Sequence, residues 1–158
     1  MTLDDYDVVM SRKDPTPVRF DPDVAARLSA WATTQPGLSL SSAANRLVDE
    51  ALRAEEHPAI AFRPGATGRR AGLVAGPDVW EVVRSVRSAR AAEPELDQAA
   101  IVDLVARNSG LAAAQVETAI GYWAAYPAEI DTEIAAADAA EDAAEAAWLR
   151  RQELLSRP

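Results

Sequence analysis

Nine of the thirteen residues from 135 to 147 are alanine. Alanine is the strongest helix former but offers little side chain to bury, so this stretch reads as helix and contributes little core. The pattern extends it over residues 128–155. Ile130, Ile134, Ala137, Ala144, Trp148 and Leu155 recur near helical spacing, and Glu141 interrupts their stripe. Asp138, Glu141, Asp142 and Glu145 read as a solvated face rather than a metal site. The end of the segment gathers Trp148, Leu149, Arg150, Arg151, Leu154 and Leu155. Tryptophan is a typical interface anchor. Two readings stay open: the helix packs along its own dimer, or it lies in a partner's groove. In the second reading Ile130, Ile134, Trp148, Leu149, Arg150, Arg151, Leu154 and Leu155 are the partner-binding residues.

Upstream, proline and glycine cut the chain into short elements. Residues 1–13 read as a loose arm. Thr16, Val18 and Phe20 alternate with Pro17 and Arg19, which is strand period, but the prolines restrict such a strand to an edge or a two-stranded ribbon. Asp21-Pro22 opens a helix to about Thr33 that faces inward with Val24, Leu28 and Trp31. Ser39 caps a second helix to about Glu56, with Leu40, Ala43, Leu47, Val48, Ala51 and Leu52 on its apolar face. His57-Pro58 ends it, and His57 reads as a helix-end cap. Ile60 and Phe62 alternate in a turn-rich hairpin region. Asp78 caps a third helix carrying Val79, Trp80, Val83 and Val86. A helix from Asp97, a break at Ser109-Gly110 and a helix through Val116, Ile120 and Trp123 have helix-turn-helix spacing. Trp31 and Trp80 are expected in the core. Trp123, Tyr122 and Tyr126 are expected to close it under the last helix.

The whole chain of 158 residues has a net charge of −9. Residues 1–56 hold 6 Lys/Arg against 10 Asp/Glu, residues 57–90 hold 6 against 2, and residues 91–158 hold 4 against 13. A basic middle therefore sits between acidic flanks. There is no cysteine and one histidine, which excludes disulfide scaffolds, thiolate chemistry and multi-histidine metal sites. No phosphate loop, nucleophile motif or metal spacing is present, so the expectation is a non-enzyme without cofactors. No apolar run approaches a membrane span, and the acidic start does not resemble a secretory signal. The expected location is the cytoplasm.

Thr16-Pro17-Val18-Arg19-Phe20-Asp21-Pro22-Asp23, a helix, Pro36-Gly37-Leu38-Ser39 and a second helix resemble the ribbon-helix-helix family over residues 14–55. The resemblance implies a homodimer whose paired strands enter the DNA major groove. It makes Arg19 the candidate base contact. Arg12, Lys13, Ser39 and Ser41 become candidate phosphate contacts, the serines at a helix N-terminus. His57-Pro58-Ala59-Ile60-Ala61-Phe62-Arg63, Gly68-Arg69-Arg70-Ala71 and Asp78-Val79-Trp80-Glu81-Val82-Val83 begin a second pattern. With Ser109-Gly110-Leu111 and Pro127-Ala128-Glu129-Ile130-Asp131, it resembles the family called domain of unknown function 433. Ala71 stands where that family has proline. The resemblance implies a helix-turn-helix-like domain over residues 57–127 and a relation to VapB-type antitoxins, whose partners are PIN-type ribonuclease toxins. Arg63, Arg69 and Arg70 suit a hairpin that grips a DNA backbone. Pairing with the acidic terminal helix of the same chain or its dimer mate is an equal alternative, and binding to a partner protein is a third option.

The expectation is therefore a mainly α chain. It comprises a ribbon-helix-helix module (14–56), a helix-turn-helix-like domain with a small β-hairpin (57–127) and a long helix (128–158). The expected function is that of an antitoxin that binds operator DNA and a toxin; the alternative is a DNA-binding regulator without a toxin.

Overall fold

The computed structural model describes residues 17–65 and 68–156. Eight elements follow in order: α1 (Pro22–Thr33), α2 (Leu40–Glu56), β1 (Ile60–Gly65), β2 (Gly68–Leu73), α3 (Val79–Ala92), α4 (Gln98–Ser109), α5 (Ala113–Ala125) and α6 (Pro127–Ser156). The chain is mainly helical, with a two-stranded hairpin and a long last helix. It divides into two units, residues 1–47 and 48–158, with the boundary inside α2.

In the first unit, Leu28 and Ala32 of α1 and Ala43 of α2 form a small buried cluster. Trp31, Leu38, Ala44 and Leu47 pack around it, so Trp31 lies at the border of the cluster and is half-buried. Pro22 takes the first helical turn as expected, but the Asp21 side chain makes no capping bond. Ser39 does cap: its Oγ accepts from the Ser42 amide at 3.1 Å. Residues 17–20 carry no regular secondary structure. A ribbon needs an opposite strand to supply its ladder, and among the described residues none pairs with residues 17–20. Val24, expected on the inner face of α1, is 37% exposed.

The second unit holds the main core. Ile60 and Leu73 face each other across the hairpin, in a register that runs to Gly65 opposite Gly68. They join Val79, Val82 and Val83 of α3, Val102 and Val105 of α4, Val116, Ala119 and Tyr122 of α5, and Ile130 and Ile134 of α6. The helix starts follow their capping residues. Glu81 caps the start of α3 by accepting from the Asp78 amide at 2.9 Å, and Asp97 accepts from the Ala100 amide at 2.8 Å. Gly110 ends α4 in the left-handed region at φ 68°, a conformation that disfavours residues with a Cβ. Trp80 is half-buried against this core, and its indole nitrogen has no partner among the described residues.

Two expectations change here. The His57 ring does not cap the carbonyls of α2; it meets Tyr122 and Tyr126 edge-on, at 5.2 and 6.0 Å between centroids. Ile130 and Ile134, expected to bind a partner, lie in the chain's own core, with Ile130 wholly buried. Packing explains this. The face of α6 that carries both isoleucines lies on α3 and α5.

Candidate interaction surfaces

The hairpin arginines are occupied by carboxylates of their own chain. Arg69 Nε donates to both oxygens of Glu50, at 2.9 and 2.8 Å, and Glu50 is 8% exposed. Arg69 also donates to the Phe62 carbonyl at 2.9 Å. Arg63 bonds Asp78 at 2.8 Å and the Gly76 carbonyl at 2.6 Å. Arg70 Nη1 lies 3.6 Å from the other Asp78 oxygen. The strands leave room for these groups: a Cβ on Gly72 would come within 2.4 Å of Arg63 Nη2. Arg63 and Arg69, engaged by internal acceptors, have little left for a phosphate, whereas Arg70 Nε is buried without a hydrogen-bond partner among the described residues. The acceptors come from α2 and from the cap of α3, rather than from the terminal helix that the charge balance suggested.

The helix-turn-helix spacing is realised as α4, the Gly110 turn and α5. In a DNA-reading module the second helix would face the groove. The exposed residues of α5 include Ala113, Ala114, Glu117 and Gly121, and the helix holds no lysine or arginine. It lacks the arginine or lysine that reads guanine and anchors phosphates by charge. The first unit exposes Arg19, Arg27 and Arg46, and the second exposes Arg87, Arg107, Arg150 and Arg151. Ser39 and Ser41 are exposed at the start of α2, although Ser39 already serves one amide there. Arg12 and Lys13 lie outside the described residues.

The long helix has two regimes. Its first half is tied to α3 and α5. Asp131 accepts from Arg87 at 2.5 Å and from the Trp123 indole at 2.9 Å. Arg84 grips Glu141 at 2.6 and 2.5 Å and Asp138 at 2.8 Å. These bonds hold the Asp131 and Glu141 carboxyls below the ordinary range, through Trp123 and then Arg87 for the first and through Arg84 for the second. From Asp142 to Ser156 every residue except Ala146 is exposed. This half projects by about 22 Å at 1.5 Å per residue. It carries Trp148, Leu149, Leu154 and Leu155 at 58%, 52%, 76% and 68% exposure, with Arg150 and Arg151 between them. Of the predicted partner-binding residues, the structure thus leaves six in the open and buries two.

A third surface was not singled out from sequence. Leu40, Val48, Ala51 and Leu52 are exposed on α2. Their spacing places them along one side of the helix. The expected apolar face of α2 is only half covered: Ala43 and Leu47 pack inward while the adjoining arc meets solvent. Sequence reasoning also missed the polar node at Arg53. Its Nη1 donates to Glu129 at 2.5 Å and to the Tyr122 hydroxyl at 3.1 Å, and its Nη2 lies 2.9 Å from Asp49. Arg53 also lies over the Tyr126 ring at 4.1 Å. Burial pushes the Tyr122 hydroxyl above its ordinary value despite Arg53. The i, i+4 pair of Asp49 and Arg53 was visible in the sequence, but the partners on α5 and α6 are far away along the chain.

No family model, curated protein or solved structure matches the chain. Among the described residues no helix is long and apolar enough to cross a membrane, and no acidic or histidine cluster could hold a metal ion.

Proposed function

We propose that the chain is a dimeric cytoplasmic antitoxin that captures a toxin through the projecting half of α6 and binds operator DNA through its first unit. The observation that carries this reading is the exposed Trp148, Leu149, Leu154 and Leu155 cluster on a helix end outside the core. Large apolar side chains in such a place have no folding role, and tryptophan with arginine nearby is the composition of interface hot spots. The partner proposed from the antitoxin resemblance is a PIN-type ribonuclease. Arg150 and Arg151 then face its acidic cleft while the apolar residues anchor the helix. The proposed dimer rests on the uncovered apolar side of α2 and on exposed Val18 and Phe20, which a second copy would cover. DNA contact is proposed for Arg19 with Arg12 and Lys13, since the hairpin arginines are already engaged.

The test is co-expression with the product of the neighbouring gene, followed by mass determination by light scattering. The reading expects a complex with a small nuclease that is lost in W148A and in a chain ending at Glu141. That truncation keeps Ile130, Ile134 and the Arg84 contacts. A dimer that binds its own promoter but retains no nuclease would overturn the antitoxin reading and favour a regulator without a toxin.

A further inference from the structure

The root of α6 borders a network of arginines and carboxylates drawn from five elements. The cations are Arg53 on α2, Arg63 on β1, and Arg69 and Arg70 on β2. The anions are Asp49 and Glu50 on α2, Asp78 at the cap of α3, and Glu129 and Glu133 on α6. The pairings absorb all but one carboxyl: Arg53 takes Asp49 and Glu129, Arg69 takes Glu50, and Arg63 and Arg70 share Asp78. Glu133 is the surplus acid. Its Oε2 is buried and has no hydrogen-bond partner among the described residues. The cation beside it, Arg70, makes no hydrogen bond to it: Arg70 Nη1 lies 3.6 Å from Asp78, and Arg70 Nε is itself buried without a hydrogen-bond partner among the described residues. An ionised Glu133 would thus add an unpaired charge next to Glu129 and Asp78. A neutral carboxyl would add none.

We propose that Glu133 is a proton-operated latch, holding the root of α6 on the body of its domain when protonated and loosening it when ionised. The groups that face it are Glu129 from its own helix, Arg70 from β2 and Asp78 from the cap of α3, with Arg53, Tyr122 and Arg63 behind them as their partners. Burial first, and the Glu129 carboxylate second, push the Glu133 carboxyl up to about 7. The sign follows from linkage. A carboxyl raised in the folded state holds its proton more tightly there than in the unfolded chain. Its contribution is complete below the ordinary carboxyl range and is lost as pH rises through about 7. The conditions that loosen the latch are therefore neutral to mildly alkaline.

Two measurements on the full chain decide the matter. Carbon-detected NMR of the Glu133 carboxyl, assigned by the signal missing in E133Q, gives its midpoint directly. Hydrogen exchange of the α6 amides from residue 130 to residue 137, corrected for intrinsic rates, gives the state of the helix root at pH about 5.5 and about 8. The expected result is a midpoint near neutrality and amides several-fold better protected at the lower pH. In E133Q the same amides stay protected at both. Titration of Glu133 with the ordinary carboxylates overturns the latch. So does neutral-range titration with no change in protection, or an E133Q chain that keeps the native pH dependence.

Discussion

Ile130 and Trp148 share one helix but not one environment. Ile130 is wholly buried, so Ile130→Ala removes packing from the centre of the core and is expected to cost about 2–5 kcal/mol in denaturant unfolding. Trp148→Ala touches nothing that holds the fold and is expected to change stability by less than about 0.5 kcal/mol. In the proposed complex the same change weakens binding by more than about tenfold. At Glu50 the sequence showed one acid among many on α2. Its burial against Arg69 makes Glu50→Ala costly, by about 3 kcal/mol, because the guanidinium is left half-enclosed without its counter-charge. Chemical denaturation of the variant checks this, and an unchanged midpoint would refute the reading of a structural pair. The contrast also explains what the sequence hid. A basic hairpin looks the same whether its arginines are free or already held, since the carboxylates that hold them are set by tertiary packing.

Elements were more legible than contacts. The prolines, glycines and capping residues marked α3, α4 and α6 well, because each cap acts within a few residues of its own position. The hairpin was readable as turn-rich alternation, although only the fold fixed the pairing of Ile60 with Leu73. The expected ribbon strand is not regular structure over residues 17–20, and the resemblance that suggested it implies a partner strand from a second copy. For α6, periodicity found the stripe but could not show where the body of the domain ends beneath it. Ion pairs with Arg84 and Arg87 mark that boundary. Asp131 and Glu141 are held ionised below the ordinary carboxyl range, so their share of the clamp is present above that range and is lost as pH falls through the depressed values. Strong acid is expected to loosen the first half of α6 from α3, which hydrogen exchange at pH about 3 against about 5 reports. Acid thus acts on this clamp in the direction opposite to its effect at Glu133.

At the scale of the molecule, a packed second unit presents a long helix, while the first unit presents exposed arginines and apolar residues. DNA binding is proposed for the first unit. Arg19→Ala is therefore expected to weaken promoter binding and flatten its salt dependence by about one unit of slope per chain, whereas alanine variants of the central helix α5 leave it unchanged. Fluorescence anisotropy across a salt series separates the two. Capture of a toxin by the projecting half of α6 is tested by hydrogen exchange, comparing the chain alone with the chain bound to its neighbouring gene product. Residues 142–156 are expected to exchange freely in the isolated chain and to become the strongly protected segment in the complex. Protection that appears elsewhere while residues 142–156 stay unprotected would contradict that capture.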